Sequence, residues 1–230
     1  MAAADPAAEP TADPAGAEEA TNLVAIDGRR LGSRAQATRR RLLDATAELL
    51  ETEGILDLKV VDVARKVGTS PATFYQYFAN VEEAVLALAE EVGEAILGLV
   101  PLLEQPWRGP KALDWARLLV DGFISQWDTN RAVLRTRNLA AQEGDRRFRD
   151  VRNQSLSNVT DRIAQQIADN RAANRLPQEI NPYAAAGAMV AMMERMAAYH
   201  FELEGRGVSR QAMVETVARI LYQTVTGRRA

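Results

Sequence analysis

A run of hydroxyl and amide side chains lies about a third of the way along the chain, and its residue types suit hydrogen bonding to nucleic acid. Thr69 and Ser70 are adjacent, Thr73 and Gln76 are spaced as neighbours on one helix face, and Tyr75 lies between these two. Gln can bond the edge of adenine at two atoms, and Thr can contact a base or a phosphate. Backbone amides at the start of a helix favour an anion. These residues therefore predict contact with DNA rather than catalysis.

Two short helices joined by a tight turn are predicted to position these side chains. Apolar residues recur at helical spacing over residues 58–67, and Gly68 follows, where glycine most readily adopts the left-handed conformation that ends a helix. Ser70 can cap the next helix and Pro71 suits its first turn, so the second helix is predicted over residues 71–78. Three aromatic residues at i, i+3 and i+4 predict its buried face: Phe74, Tyr77 and Phe78.

This stretch closely resembles the DNA-binding domain of TetR-like (tetracycline-repressor-like) transcriptional regulators, over roughly residues 35–90. The resemblance rests on Gly68-Thr69-Ser70, Thr73-Phe74-Tyr75-Gln76-Tyr77-Phe78, Asn80 and Glu82-Glu83. It implies an all-α fold, with an N-terminal three-helix helix–turn–helix domain and a larger C-terminal helical domain for ligand binding and dimerisation. It also implies a homodimeric repressor that binds a palindromic double-stranded DNA operator and responds to a small effector.

The resemblance assigns DNA contact to a set of residues, among which Tyr75 occupies the place of a tyrosine that bonds a backbone phosphate. The set is Arg40, Lys59, Thr69, Ser70, Thr73, Tyr75, Gln76 and Tyr77. The chain departs from the family pattern where Leu58 and Lys59 replace a capping Ser or Thr, where Val61 replaces an Arg, and where Val81 replaces a Lys. Lys59 and the preceding arginines are candidates to restore the lost charge.

An arginine cluster opens the predicted DNA-binding domain, with six Arg between residues 29 and 41. Such a cluster is either a solvated face or a basic arm that enters the minor groove or contacts phosphates. The preceding residues are rich in Ala, Pro, Asp and Glu without large apolar side chains, which is typical of a disordered tail. We therefore predict a disordered tail with a basic end at residues 1–32, the helix–turn–helix domain at 33–80, and the ligand-binding and dimerisation domain at 81–230.

Helix termini are predicted from capping residues along the whole chain. Ser33 with Gln36 suits a capping box at the start of a first helix over residues 34–53. Asn80 caps a fourth helix that reaches about Val100, with Pro101 ending or kinking it. Five further helices are predicted at about residues 111–127, 130–143, 145–174, 182–204 and 210–226.

The C-terminal helices must supply a core, a dimer interface and an effector pocket. The resemblance implies that the last two long helices pair with those of a second subunit. A methionine stripe on the helix over residues 182–204 suits either a core or an adaptable pocket. Apolar side chains predict a pocket for an apolar effector: Trp115, Phe123, Trp127, Met192, Met196 and Tyr199, with Trp107 and Phe148 as further candidates. Arg135, Arg137 and Asn138 are either solvated or ion-paired, or they meet an anionic head group.

Composition limits the chemistry of the chain. The 230 residues have a formal net charge of -3, a single His and no Cys. Disulfides, thiol redox chemistry and Cys-ligated metals are therefore excluded, and one His argues against zinc. No serine has a nucleophile-elbow setting, no apolar run suits a bilayer, and no secretory signal pattern opens the chain. We predict no catalytic residues, no metal or cofactor, no membrane partner and a cytoplasmic location.

Two alternatives to a DNA-binding regulator remain from the sequence. The substitutions at Val61 and Val81 suit a helical protein–protein adaptor that has lost specific DNA reading. A helical-bundle enzyme is the weaker alternative, because the chain shows no catalytic constellation.

Overall fold

The computed structural model describes residues 30–109 and 111–228, and the helices in these ranges follow one another without a strand. Most of the predicted tail lies outside the described residues, and the chain is described from Arg30, with Leu31 buried. The helices are α1 (Ser33–Glu53), α2 (Val60–Val67), α3 (Pro71–Phe74), α4 (Val81–Ile96), α5 (Val100–Glu104), α6 (Ala112–Thr129), α7 (Arg131–Glu143), α8 (Arg146–Ala172), α9 (Pro182–Glu204) and α10 (Arg210–Thr226). The predicted all-α fold is confirmed.

The start of α1 differs from the prediction, because no capping box forms there. Gly32 occupies the N-cap position without a side-chain hydrogen bond, and Ser33 is the first helical residue. The Gln36 side chain instead donates to the Leu31 carbonyl at 3.0 Å. The side-chain amide of Gln36 reaches back past the helix start, because Leu31 is anchored in the core and holds its carbonyl within reach.

The α4 helix begins as predicted and ends earlier. The Asn80 side chain accepts from the Glu83 amide at 2.9 Å and caps the first turn. The helix stops at Ile96 rather than near Val100, and a 3-10 turn, Leu97–Leu99, joins it to α5. Pro101 lies in the first turn of α5. Proline has no amide hydrogen and its ring crowds the carbonyl four residues earlier, so α4 cannot continue through this position.

The C-terminal helices form a bundle around α8, which packs against α4, α7, α9 and α10. The helix α6 packs against α9 and α10 on the other side of the core. Buried residues form one continuous hydrophobic core from Leu42 in α1 to Val225 in α10, and α4 supplies the residues that connect its two ends. The helix–turn–helix unit and the bundle therefore share packing through α4, so a displacement of this helix changes contacts in both.

The α9 helix is kinked near its end, at Tyr199, whose backbone has φ -124° and ψ 17°. The Arg131 guanidinium donates to the Ala198 carbonyl at 2.8 Å, beside the kink. A side chain that hydrogen-bonds a helix carbonyl is a recognised cause of such kinks. Throughout the described part of the chain, every helix is too short or too polar to cross a lipid bilayer.

Candidate nucleic-acid interface and the helices that control it

The turn between α2 and α3 has the geometry that the sequence predicts. Gly68 has φ 73° and ψ 38°, in the left-handed region. The Thr69 amide donates to the Ala64 carbonyl at 2.9 Å, as in a Schellman motif. The Ser70 hydroxyl then accepts from the Thr73 amide at 3.3 Å, which caps α3. Local hydrogen bonds therefore define the turn between the two helices.

The α3 helix is shorter than predicted, because regular α-helix ends at Phe74. The chain then tightens, with the Gln76 and Tyr77 amides donating to the carbonyls three residues earlier, before Phe78 bonds the Phe74 carbonyl at 3.1 Å. Bonds of the 3-10 type commonly tighten a last turn. A single α-helical turn has little macrodipole, so phosphate binding here would depend on individual hydrogen-bond donors rather than on the helix dipole.

Aromatic side chains anchor α3 with its polar edge outward. Phe74 and Phe78 are buried, with ring centroids 5.5 Å apart. Tyr75 is 52% exposed and Gln76 is also exposed, while Tyr77 is half-buried against the core. The sequence predicted this division between inward rings and outward polar groups. Burial of the two phenylalanine rings leaves Tyr75 and Gln76 free to meet another molecule.

The other predicted contact residues surround this edge, with one exception. Ser70 and Lys59 are exposed, and Thr69 and Thr73 are half-buried. Arg40 lies elsewhere, on the contact between α1 and α4, where its guanidinium bonds Asp44 at 2.8 Å and also pairs with Glu91. The assignment of all these residues to DNA contact stays a prediction.

Much of the basic charge near the helix–turn–helix is held by contacts within the chain. Arg39 stacks over the Phe78 ring at 5.2 Å and lies 3.8 Å from Glu91, and burial lowers its pKa although Glu91 opposes this. Arg41 donates to the Val67 carbonyl at 2.6 Å, at the end of α2. Sequence reasoning assigned these arginines to solvent or to DNA, because their acceptors come from helices that are distant in sequence.

Lys59 is the cation of α2 that remains available. It is exposed at the N-cap of α2 and forms no ion pair with any residue in the described ranges. By contrast, Lys66 pairs with Glu48 at 2.9 Å and Arg65 pairs with Asp62 at 2.9 Å. Lys59, like the exposed Arg34 of α1, is therefore a basic side chain of this unit that remains available to a phosphate.

Polar contacts tie the helix–turn–helix unit to the bundle. Glu51, near the end of α1, accepts from the Ala132 amide in the first turn of α7 at 3.1 Å. Arg147 of α8 pairs with Glu83 in the first turn of α4. Together with the contacts of Glu91, these bonds restrain α1 and α4 relative to the bundle. Neither the α1–α7 bond nor the α4–α8 pair could be read from local sequence patterns.

A cavity of about 290 Å³ lies between α4 and α8. Its bottom is formed where the two helices approach closely, since a Cβ atom at Gly93 would lie 2.9 Å from the Ser155 Cβ. The lining residues are Glu90, Gly93, Glu94, Leu97, Val151, Gln154, Ser155 and Asn158. Burial raises the pKa of Glu90; Arg39 opposes this rise, and repulsion from Glu94 adds to it. None of the predicted pocket residues lines this cavity.

The predicted pocket residues have different surroundings. Phe123 and Trp127 are buried in the core, as are Trp107 and Phe148, while Trp115, Met192 and Met196 are half-buried against it. Tyr199 is 38% exposed, and Arg195 stacks on its ring at 3.6 Å. Their assignment to an effector pocket stays a prediction.

A buried ionic cluster lies next to the cavity. Arg137 of α7 is 1% exposed and bonds Glu194 of α9 at 3.2 Å, and Arg152 of α8 pairs with the same carboxylate. Arg137 also reaches the Ser155 hydroxyl, which lines the cavity, at 3.4 Å. Burial lowers the pKa of Arg137 to about 10, and the attraction of Glu194 opposes this. The sequence left Arg137 open between solvent, an ion pair and an anionic ligand, and the structure shows the ion pair.

Comparison with known proteins identifies the family. Residues 42–88 match the family described as bacterial regulatory proteins, tetR family, and residues 99–230 match the tetracyclin repressor-like C-terminal domain. The chain belongs to the TetR family. It is therefore a helix–turn–helix transcriptional regulator, which confirms the resemblance seen in the sequence. The TetR family consists of regulators rather than enzymes, and membership favours a regulator over the adaptor alternative.

Individual TetR-family relatives cover most of the chain. The HTH-type transcriptional regulator EthR of Mycobacterium tuberculosis is 27% identical over 202 residues, which span 87% of this chain and 93% of EthR. The fatty acid degradation regulator FadR of Bacillus halodurans has a TM-score of 0.63 at 15% identity, covering 84% of this chain and 97% of FadR. The FadR of Bacillus subtilis, solved with stearoyl-CoA, has a TM-score of 0.60 at 15% identity, covering 82% and 98%. Both structural likenesses show the shared fold.

Proposed function

We propose that this TetR-family regulator is a homodimeric repressor that binds a palindromic operator through α3 and releases it when a small effector binds against α4. The observation that carries the proposal is the orientation of α3, whose rings at Phe74 and Phe78 are buried while Tyr75 and Gln76 face outward. A helix–turn–helix protein places such an edge in the major groove. Two-fold symmetry of a dimer then matches the symmetry of the operator.

The polar edge divides into side chains with different roles at the DNA. Gln76 can bond a base bidentately, which makes it the candidate for sequence reading. Tyr75, Ser70 and Lys59 carry donors suited to phosphate oxygens, which fix the position of the protein without reading sequence. Arg40 is already bonded to Asp44 and Glu91, so DNA contact by Arg40 would compete with its contact between α1 and α4.

The outer faces of α9 and α10 support the proposed dimer. Exposed small residues recur on α9 at i, i+3, i+4 and i+7: Ala184, Gly187, Ala188 and Ala191. On α10, Ile220 is 41% exposed. Small side chains let helix backbones approach closely, so these two helices suit pairing with their copies in a second subunit. Ala188→Arg should therefore shift sedimentation from dimer to monomer, whereas Ala173→Arg, at an exposed position after α8, should leave the dimer intact.

The proposed release mechanism depends on α4. This helix forms one wall of the cavity and also carries Glu91, which holds Arg39 and Arg40 of α1. An effector that binds one position of α4 more tightly than another shifts the equilibrium between them only by that difference in affinity. Because the α3 helices of a dimer must match successive major grooves about 34 Å apart, a small displacement of α4 is enough to disturb the fit.

The test begins with selection of operator sequences from randomised double-stranded DNA by the purified protein. The expected product is an inverted repeat whose half-sites are about 10 base pairs apart from centre to centre, or a multiple of this. Anisotropy titrations then compare Gln76→Ala and Tyr75→Phe with Gln142→Ala, which alters an exposed glutamine of α7. Loss of one good base contact costs ~1–3 kcal/mol, or about 5- to 150-fold in affinity. Wild-type affinity in both α3 variants would refute the assigned orientation of α3, and absence of any selected sequence would revive the adaptor.

A further inference from the structure

We infer that the cavity between α4 and α8 binds a small amphiphilic amine, with its ammonium group between Glu90 and Glu94. The inference rests on the function proposed above, because it gives that regulator its class of effector. It differs from the apolar effector that the sequence predicted, since the cavity is lined by two carboxylates and two amide side chains as well as by Leu97 and Val151.

The two carboxylates of the cavity are exposed, and Arg39, which lies 3.8 Å from Glu91, attracts Glu90 without forming an ion pair with it. Glu90 and Glu94 are one helical turn apart on α4, so both face the cavity, and neither forms an ion pair within residues 30–109 or 111–228. Glu91, which lies between them, is paired with Arg39 and Arg40. Glu91 therefore faces the arginines of α1, whereas Glu90 and Glu94 face the cavity and repel each other. A bound cation would relieve this repulsion.

The facing helix does not neutralise these carboxylates. Three arginines of α8 are engaged elsewhere, Arg147 with Glu83, Arg152 with Glu194 and Arg162 with Glu104, and no arginine of α8 forms an ion pair with either carboxylate of the cavity. The α8 residues that line the cavity are uncharged, and the side-chain oxygens of Gln154 and Asn158 can accept hydrogen bonds from an ammonium group. The cavity therefore combines two carboxylates with amide acceptors, which suits a ligand with several N–H donors and a positive charge.

Apolar residues at the same cavity indicate that the amine carries a short hydrocarbon part. Leu97 is 42% exposed and Val151 is half-buried, and both line the cavity. A volume of about 290 Å³ is close to the lower end of ligand sites in proteins, which begin near ~300 Å³. An anionic amphiphile would bring like charge to Glu90 and Glu94. The stearoyl-CoA found in the Bacillus subtilis FadR is therefore the wrong class of ligand for this cavity.

The experiment compares three probes that share one chain length and differ in charge: n-octylammonium, n-octanol and octanoate. Isothermal titration calorimetry with the full chain should show n-octylammonium binding at least tenfold more tightly than the other two. The double substitution Glu90→Gln and Glu94→Gln should weaken this binding at least tenfold, whereas Glu82→Gln, on the same helix outside the cavity, should change it less than twofold. Asn158→Lys should also weaken binding, because it introduces an internal ammonium group into the cavity while leaving both carboxylates in place.

The outcomes separate this inference from the proposed function. Equal or tighter binding of octanol or octanoate, unchanged binding of n-octylammonium by the double variant, or no binding of any probe at 10 mM would each overturn the amine site. A further titration measures operator affinity with and without n-octylammonium, and at least a tenfold loss is expected. Amine binding that leaves operator affinity unchanged would overturn the effector role. Absence of selective operator binding by the ligand-free protein would instead refute the proposed function. The calorimetry would then still decide whether the cavity binds an amine.

Discussion

The buried carboxylate of Glu194 gives the sharpest prediction about the stability of the fold. It is 8% exposed by side chain and neutralises two arginines, Arg137 and Arg152, from different helices. We expect Glu194→Gln to lower the free energy of unfolding by about 3–5 kcal/mol, the usual cost of breaking a buried ion pair by removing one partner. The loss should lie near the lower end of this range, because the glutamine side chain keeps an oxygen that can accept a hydrogen bond from Arg137.

The lowered pKa of Arg137 indicates why removal of the Glu194 charge should be costly. Burial lowers it well below the ordinary value of a guanidinium, to about 10, even with Glu194 present. Because 1.36 kcal/mol corresponds to one pKa unit, the charged guanidinium is held about 3 kcal/mol less favourably in the folded chain than in the unfolded chain. The folded-state pKa is the lower one, so this cost is present in full below pH 10 and declines only as the pH rises above it. Arg137→Met removes this buried charge while Glu194 keeps Arg152 as a partner, so it should change stability by less than about 1 kcal/mol.

A double-mutant cycle measured by urea unfolding tests this reasoning, with all variants at one protomer concentration because the stability of a homodimer depends on that concentration. The double variant of Arg137→Met with Glu194→Gln should be more stable than Glu194→Gln alone, with a coupling of about 2 kcal/mol. Glu202→Gln, which alters an exposed glutamate on the same helix, serves as the control. A loss below 1 kcal/mol in Glu194→Gln, or an equal loss in Arg137→Met, would contradict the argument that Glu194 offsets a buried charge.

Three further predictions concern the helix–turn–helix unit and the contacts at the ends of helices. Lys59→Gln should reduce the slope of log affinity for the operator against log salt concentration by about 0.9, and an unchanged slope would remove its phosphate contact. Gly227→Ala should destabilise the fold more than Gly68→Ala in thermal unfolding: both have a positive φ near 70°, but only the first would place a Cβ atom against a backbone carbonyl, 2.2 Å from the Arg175 oxygen. Equal losses of stability in the two variants would show that the strain of the positive φ, rather than the contact with Arg175, determines the cost. Glu51→Ala should cost about 1 kcal/mol of stability, as loss of a helix cap does, and should alter operator affinity while dimerisation persists; no change in either would show that its bond to α7 is incidental.

The helix–turn–helix could be predicted from sequence because its determinants are local. The left-handed conformation of Gly68 and the caps by Ser70 and Asn80 each involve residues within five positions of one another. The predicted capping box at Ser33 was wrong for the opposite reason, since the buried position of Leu31 draws Gln36 to its carbonyl. A cap is predictable when the chain nearby supplies both partners and no tertiary contact competes.

The candidate site could be predicted only in part, because the partners of its charged side chains could not be read from the sequence. The sequence placed Arg40 at the DNA and left Arg137 open between solvent, an ion pair and a ligand, whereas the structure holds them on Glu91 and Glu194 respectively. A long charged side chain reaches partners on helices that are distant in sequence, and only packing determines which helix is within reach.

By itself, the sequence determined the helical fold, the position of the recognition helix and the outward direction of Tyr75 and Gln76. Periodicity and capping are properties of neighbouring residues, so they survive without knowledge of the tertiary structure. The tertiary structure alone decided that Glu90 and Glu94 face a cavity and that a single buried carboxylate balances two arginines. These features arise where separate helices meet. Only the packing of those helices determines which charged side chains are buried together.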